Sequence, residues 1–288
     1  MPVRSIESKD NARLKELRKA LAEPARGPRK LVGIEGPRML EEALRAGLRL
    51  ATVFVAQGSE QCIDALRLPP AAEILRLPRK LLDAALATET PQPVAALVAP
   101  PNWTWPHLLV QNRNKPLLVA LAGLQDPGNL GTILRSAEAF GATGVVSLPG
   151  TVSAWNPKAV RASAGSIFRL PLLSVSEAEL FEELREAGVR ILASTTRGAQ
   201  PADKADLAGP IALIIGNEGN GVPETLTARA DLKITIPCPG PVESLNAAVA
   251  AGVLLYEASR QRAAQMGKPF DNPKRSSKSL PHAVGARR

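Results

Sequence analysis

The stretch Ile236–Glu257, IPCPGPVESLNAAVAAGVLLYE, contains the end of a strand, a turn rich in Pro and Gly, and a long apolar helix. Two upstream stretches, Asp126–Gly141 (DPGNLGTILRSAEAFG) and Leu213–Glu224 (LIIGNEGNGVPE), also place a turn of Gly, Pro and Asn after an apolar segment. Polar residues that a fold alone does not require lie at these turns: Asn129, Arg135, Asn217, Glu218, Ser244 and Asn246. Ligands of open parallel sheets bind at the carboxyl ends of the strands. The sequence therefore predicts that three polar loops converge on one site.

Around these turns, apolar segments of strand length alternate with helical segments from residue 117 onward. The predicted strands are 117–124, 144–148, a segment near 168–173, 189–195, 210–216 and 232–237. The predicted helices are 130–140, 157–163, 177–187, 223–229 and 244–263. Such alternation predicts an α/β fold with a parallel sheet covered by helices on both faces.

The upstream residues predict a smaller α/β unit. Leucines at helical spacing indicate a helix over 3–23, and glycine ends a second helix within 33–47. Strands are predicted at 51–56 and 94–99, and helices at 61–67 and 78–87. The sequence divides into an N-terminal domain (1–106), a linker (107–116), a second domain (117–266) and a basic disordered tail (267–288). Trp103 and Trp105 before the linker could stack on bases, but packing against a domain is favoured.

Composition excludes several classes of protein. No apolar run approaches the length that spans a bilayer, and the N-terminus lacks a signal-peptide pattern. Cys62 and Cys238 are too few and too far apart for a disulfide framework, which indicates a reducing compartment. The only histidines, His107 and His282, cannot build a histidine-based metal cluster, and no metal requirement is predicted. A cytoplasmic protein without membrane association is expected.

The charge of the chain is unevenly distributed. Of the formal net charge of +9, residues 1–106 contribute 16 Lys/Arg against 12 Asp/Glu, and residues 268–288 contribute 6 against 1. The part that contains the three turns is neutral. A basic excess favours polyanion binding, although a solvated surface explains charge alone equally well.

Each turn also has a purely structural explanation. Asp126 or Asn129 could cap the following helix, Arg135 could pair with Glu138, and Ser244 or Glu243 could cap the last helix. The sequence GNEGNG could be a tight turn, and it lacks the spacing of a phosphate-binding loop. These explanations leave open why so many polar residues gather at three strand ends.

Taken together, the three motifs resemble the SpoU (TrmH) family of RNA 2′-O-ribose methyltransferases, in the SPOUT class. The resemblance covers roughly residues 116–260. It is carried by Asn129-Leu-Gly-Thr-Ile-Leu-Arg135, by Ile215-Gly-Asn-Glu-Gly219, and by Ile236-Pro with Ser244-Leu-Asn246. Cys238 stands where the family usually has Met. The small upstream domain (1–106) resembles, more weakly, an L30e-like RNA substrate-binding domain, and the resemblance makes residues 117–266 the methyltransferase domain.

The resemblance implies a knotted parallel-sheet domain, S-adenosylmethionine as cofactor, and a homodimer in which Arg135 reaches a site formed partly by the partner. It implies catalytic roles for Arg135, Asn129, Glu218, Ser244 and Asn246, and cofactor binding by Gly216, Ile236 and Leu245. The expected substrate is rRNA, with tRNA second. A non-catalytic RNA-binding protein on the same scaffold and a generic nucleotide-binding protein remain the alternative functions. Arg135 could act as a base or, as we favour, through charge stabilisation and phosphate binding.

Overall fold

The computed structural model describes residues 3–22, 31–86, 88–110, 115–196, 198–241 and 244–267. They form two α/β units with one sheet each. The strands are β1 (Val3–Ser5), β2 (Val32–Glu35), β3 (Leu50–Ala56), β4 (Glu73–Leu77), β5 (Val94–Val98), β6 (Leu117–Leu121), β7 (Gly144–Ser147), β8 (Leu172–Ser174), β9 (Arg190–Ser194), β10 (Gln200–Pro201), β11 (Ile211–Ile215) and β12 (Leu232–Thr235). The helices are α1 (Ala12–Ala22), α2 (Pro37–Arg45), α3 (Gln61–Asp64), α4 (Arg79–Leu86), α5 (Trp105–Leu109), α6 (Pro127–Ala139), α7 (Pro157–Ala162), α8 (Glu177–Glu186), α9 (Glu224–Thr227) and α10 (Ala247–Gln265).

The N-terminal unit is a five-stranded mixed sheet in the order β1-β4-β3-β5-β2. Its first strand corrects the prediction of one helix over 3–23. Residues 3–5 pair in parallel with β4, and the Asn11 side chain accepts hydrogen bonds from the N–H groups of Arg13 and Leu14, so that α1 begins only at Ala12. The predicted leucine stripe is confirmed, because Leu14, Leu17 and Leu21 are buried.

The C-terminal unit is a seven-stranded sheet in the order β10-β12-β9-β11-β6-β7-β8, and every pair of neighbours is parallel. The predicted α/β class is therefore confirmed. Strand β11 pairs with β6 on one side and β9 on the other, although both come earlier in the chain. Helix α6 packs against both α7 and α10. The carboxyl ends of β6 and β11 consequently lie side by side.

One hydrophobic cluster extends from the N-terminal sheet into the C-terminal unit. It includes Ile34 and Met39 from the first unit, and Val160, Ile167 and Phe168 from the second, all of them buried. Where the units meet, α7 packs against β2. The two units therefore share an apolar seam and are not joined by the connecting segment alone.

The connecting segment contains a helix, α5, that sequence patterns do not predict. Its Trp105 packs against the C-terminal core, and its indole N–H donates a hydrogen bond of 3.1 Å to Glu179. Trp103 stacks edge-on against His107 at a ring separation of 5.3 Å. These contacts support the packing role that we favour for the two tryptophans.

Among the described residues, no helix is both long enough and apolar enough to cross a membrane. The predicted disordered tail lies outside the described residues except for Gly267, and so do residues 23–30 and 111–114.

Candidate active site

The candidate residues lie on three loops and on α6, the helix that follows the first loop, and all three loops leave the sheet at the carboxyl ends of strands. Residues 122–126 follow β6 and lead into α6, residues 216–223 follow β11, and residues 236–246 follow β12 and lead into α10. The third loop begins two strands away from the second in the sheet. Hydrogen bonds between side chains nevertheless join all three loops.

A chain of two amide side chains connects α10 to the loop after β11. Asn246 Nδ2 donates to Asn129 Oδ1 at 3.1 Å, and Asn129 Nδ2 donates to Glu218 Oε1 at 2.7 Å. At the other end, Asn246 Oδ1 accepts from the backbone N–H groups of Ala248 and Val249. The polarity of this chain is fixed, because a backbone N–H can only donate and an ionised carboxylate can only accept. Both amides therefore have one permitted orientation.

The carboxylate at the end of this chain is held in its charged form. Partial burial favours the neutral acid, but hydrogen bonds from Asn129 and from the backbone of Glu218, Gln125 and Asp126 outweigh this effect. The pKa of Glu218 consequently lies below its ordinary value. A lowered pKa suits an anchor for Asn129 better than a general base, which needs a pKa near the working pH.

The loop after β11 is shaped by Asn217, a polar turn residue of the second motif to which the sequence assigned no catalytic or cofactor-binding role. Its Nδ2 donates to the carbonyl of Gly123 at 2.8 Å, and its Oδ1 accepts from the N–H of Gly219. Asn217 thus ties this loop to the loop after β6. Its position between Gly216 and Glu218 in the second motif was the signal that could have assigned it a role at the site.

Gly216 is buried, and a Cβ at this position would overlap the backbone of Gly221 and Val222 within the same loop. The sequence suggested that this glycine lets a ligand approach the backbone. The structure adds a second requirement, which is the close packing of the loop on itself.

The first turn of α6 is capped by Asp126, as one of the structural alternatives predicted. Its Oδ1 accepts from Gly128 N–H at 2.6 Å and from Lys158 Nζ at 3.0 Å. Bonding to the Gly128 N–H, followed by the bond to Lys158, holds the pKa of Asp126 below its ordinary value. Capping therefore occupies Asp126 and leaves the Asn129 side chain available for the amide chain.

The last helix is capped by Asn246 and not by Ser244, which corrects that alternative for Ser244. The reason is that Asn246 directly precedes α10, where its Oδ1 reaches the first free N–H groups of the helix. Glu243 lies outside the described residues. Ser244 and Leu245 are exposed to solvent, so both side chains are accessible to a ligand.

Arg135 stands apart from the amide chain. It is exposed on α6, and it makes no hydrogen bond or ion pair with the described part of the chain. Arg135 lies six residues after Asn129 on α6, which places it about 9 Å further along the helix axis and about 120° around it. The predicted alternative of an ion pair with Glu138 is wrong, because both Glu138 oxygens are bonded to Arg169, at 2.6 and 3.0 Å. The guanidinium of Arg135 is therefore available for an external partner.

Comparison with known proteins finds related families for both units of the chain. The sequence profile of the SpoU rRNA Methylase family matches residues 116–256, and that of the MRM3-like substrate binding domain matches residues 11–96. The 23S rRNA (guanosine(2553)-2′-O)-methyltransferase RlmP of Bacillus subtilis is 33% identical over 254 residues, which is 88% of this chain and 98% of that protein.

The chain belongs to the SpoU rRNA methylase family.

Two solved methyltransferases have the same fold. AviRb from Streptomyces viridochromogenes superposes with a TM-score of 0.77 at 29% identity, covering 90% of this chain and 99% of that one. The AdoMet-bound rRNA methyltransferase from Sinorhizobium meliloti gives 0.77 at 29% identity, covering 90% and 98%. The predictions of an RNA 2′-O-ribose methyltransferase and of S-adenosylmethionine as its cofactor are thereby confirmed.

The loops of this chain fit that cofactor chemically. S-adenosylmethionine carries a sulfonium cation and no phosphate, and residues 215–224 and 236–246 contain no Lys or Arg that would repel the cation. Beyond Gly221 and Gly240 the space is open, with nothing within 4 Å of where a Cβ would stand. The side chain of Leu245 is exposed and offers an apolar surface beside these loops.

Proposed function

We propose that this protein transfers a methyl group from S-adenosylmethionine to a ribose 2′-hydroxyl of ribosomal RNA. The observation that carries the proposal is the amide chain Asn246–Asn129–Glu218, which joins the three loops at the ends of β6, β11 and β12. A fold alone does not require this chain, because Asp126 already caps α6. Its fixed polarity makes it a rigid frame for a site that must position two reactants.

Positioning accounts for much of what this reaction asks of the protein. The cofactor supplies an electrophilic methyl group when bound, so the chain must place the ribose hydroxyl in line with it and stabilise the charge that develops on oxygen. We assign cofactor binding to Gly216, Ile236 and Leu245, together with backbone groups of their loops. Asn129, Glu218, Ser244 and Asn246 are assigned to the framework and walls of the active site.

We assign stabilisation of the reacting ribose oxygen, or of its neighbouring phosphate, to Arg135. An arginine is a poor base because its pKa lies above about 12. It is, however, a strong bidentate partner for phosphate and a source of positive charge for a forming alkoxide. Its exposure and its lack of a partner within the described chain support this role.

Arg135 acts, in this proposal, at the site of a partner subunit in a homodimer. Val249, Val253 and Tyr256 form an exposed apolar stripe on α10, at spacings of four and three residues. Tyr256 stacks edge-on against Phe140 beyond the end of α6, so the stripe adjoins the helix that carries Arg135. An apolar stripe of this kind supports burial against a second copy. Mixing Arg135→Ala protomers with Asn246→Ala protomers should restore activity if one site draws on two chains, and no recovery would exclude a composite site.

We propose, from the family resemblance, that the chain is knotted, with β12 and α10 threaded through an earlier loop. The placement of β11 between β9 and β6 and the packing of α10 on α6 support this threading. We also propose that the protein is located in the cytoplasm.

Ribosomal RNA is favoured as the substrate because the N-terminal unit matches the MRM3-like substrate binding domain and because RlmP acts on 23S rRNA. The direct test is tritiated-methyl transfer to total RNA from a strain that lacks the gene, followed by mapping of the methylated nucleotide. Label in rRNA supports the proposal. Label only in tRNA would mean that tRNA, and not rRNA, is the substrate. No label in either RNA would refute the activity.

A further inference from the structure

The seam between the two units contains one arginine that bonds to both of them. Arg169 Nη1 lies 2.6 Å from Glu42 Oε2 on α2, while its Nε and Nη2 lie 2.6 and 3.0 Å from the Glu138 oxygens on α6. Glu138 is three residues after Arg135 on the same helix. Arg169 thus connects the proposed RNA-binding unit directly to the helix that carries the proposed catalytic arginine.

We propose that Arg169 is a positioning residue for methyl transfer: it fixes the orientation of the N-terminal unit on α6, and so the register of bound RNA against Arg135. This inference rests on the proposed function, since it assumes that RNA spans both units. Arg169 touches neither RNA nor cofactor in this scheme. Its effect is transmitted through Glu42 on one side and Glu138 on the other.

Orientation needs such a contact because the rest of the seam is mainly apolar. Hydrophobic contact is non-directional and tolerates small rotations between the packed surfaces. A guanidinium bonded to two carboxylates has planar, directional geometry. The apolar seam therefore holds the units together, and the three charged groups fix their relative orientation.

The surroundings of Arg169 favour a persistent bridge. The Glu42 side chain is only 17% exposed, while those of Arg169 and Glu138 are 35% and 33% exposed. Bonding to Arg169 also keeps the pKa of Glu138 below its ordinary value. At Gly165, with φ of +90°, a Cβ would stand 2.8 Å from the Cβ of Glu42, so the backbone approaches α2 where no side chain would fit.

A neighbouring glutamate provides a matched control. Glu41 lies beside Glu42 on α2, but the ion pair that it forms, at 2.6 Å, is with Arg45 of the same helix. Arg45 also contacts Glu42, at 3.4 Å, but through Oε1 and not through the Oε2 that Arg169 holds. Glu41→Ala therefore removes the same charge from the same helix and leaves the bond between Glu42 and Arg169 in place. Glu42→Ala removes the contact to Arg169, and Arg169→Ala removes both limbs of the bridge.

The kinetic test measures single-turnover methyl transfer and RNA affinity separately. A shift of about 1 Å in position can lower a rate by up to about a hundredfold, so we expect Glu42→Ala and Arg169→Ala to lower the rate at saturating RNA by at least about tenfold. RNA and cofactor affinities should stay within threefold of the parent, and Glu41→Ala should match the parent throughout. A variant that combines Glu42→Ala with Arg169→Ala should be no slower than Arg169→Ala alone, because Arg169→Ala already removes the contact to Glu42. If RNA affinity falls while the saturated rate is unchanged, Arg169 contacts RNA and the inference is wrong.

A measurement without catalysis separates this inference from the proposed function. Spin labels at Lys80→Cys on α4 and Glu182→Cys on α8, with Cys62 and Cys238 replaced by Ser, report the distance between the units. Labelled protein is diluted with unlabelled protein so that one labelled pair per assembly is observed. The distance distribution should broaden or shift with Glu42→Ala and not with Glu41→Ala, whether or not the protein methylates RNA. Unchanged distributions in folded Glu42→Ala and Arg169→Ala would overturn the inference.

Discussion

The hydrogen bond between Asn129 and Glu218 can be reversed without changing the shape of either side chain. Asn129→Asp replaces the donating Nδ2 with an oxygen and places two carboxylates where the 2.7 Å hydrogen bond now stands. Glu218→Gln in the same protein supplies a new donor. The amide introduced at position 218 can then donate to the carboxylate introduced at position 129, whose second oxygen still accepts from Asn246.

The size of the single-variant effect follows from the contacts. A hydrogen bond to a charged group contributes about 1.5–3 kcal/mol, and the exposure of Glu218 reduces this to about 1 kcal/mol. Repulsion between carboxylates about 4 Å apart adds between about 1 kcal/mol in water and about 4 kcal/mol near a protein surface. A total of roughly 2–5 kcal/mol against the present geometry corresponds to a rate loss of about thirtyfold or more, since each 1.36 kcal/mol is tenfold.

The assay is single-turnover transfer of tritiated methyl groups to rRNA, with calorimetric cofactor binding as the check on folding. Asn129→Asp should lose at least about thirtyfold in rate, and the double variant should recover to within about threefold of Glu218→Gln alone. The loss in Asn129→Asp should also shrink at lower pH, where one carboxylate of the pair is protonated. A double variant as slow as Asn129→Asp would refute a framework role, because the original groups would then be needed for their own chemistry.

The remaining predictions concern separate parts of the molecule. Gly216→Ala should weaken cofactor binding because its Cβ would overlap the backbone of Gly221, whereas Gly240→Ala, with open space around its Cβ, should bind nearly as well as the parent in calorimetry. Arg135→Ala should lower the methylation rate by about a hundredfold or more and leave cofactor affinity unchanged; rates within threefold of the parent would contradict its role. Residues 268–288 contain six basic residues and one acidic residue. Deleting them should make the slope of log RNA affinity against log salt concentration shallower, since each phosphate contact that is lost reduces the magnitude of this slope by about 0.7 for single-stranded RNA. Folding lowers the pKa of Glu138 below 4.5, mainly through its bond to Arg169. The ionised carboxylate therefore stabilises the folded protein fully above pH 4.5, and this stabilisation is lost as the pH falls through the pKa that Glu138 has in the folded protein. The difference in unfolding free energy between the parent and Glu138→Gln should consequently disappear in acid.

Much of the C-terminal sheet could be predicted because its strands are buried on both faces and form continuous apolar runs. Strand β1 could not be predicted, because three residues are too few to show a periodicity and its partner strand β4 lies about seventy residues further along the chain. The short β10 has the same difficulty. The candidate residues were predictable from motif spacing, but their connections were not. Sequence offered Glu138 as a partner for Arg135, and only the fold brings Arg169 to Glu138, together with Glu42 from 127 residues away.

The most direct test of the central assignment is where the methyl group goes. Purified protein is incubated with tritiated S-adenosylmethionine and unmodified rRNA, and the product RNA is digested with alkali. Methylation of a ribose 2′-hydroxyl blocks cleavage of the adjoining phosphodiester, so the account predicts that the label is recovered in alkali-resistant dinucleotides and that Arg135→Ala abolishes it. Label recovered in mononucleotides would mean base methylation and would contradict the account.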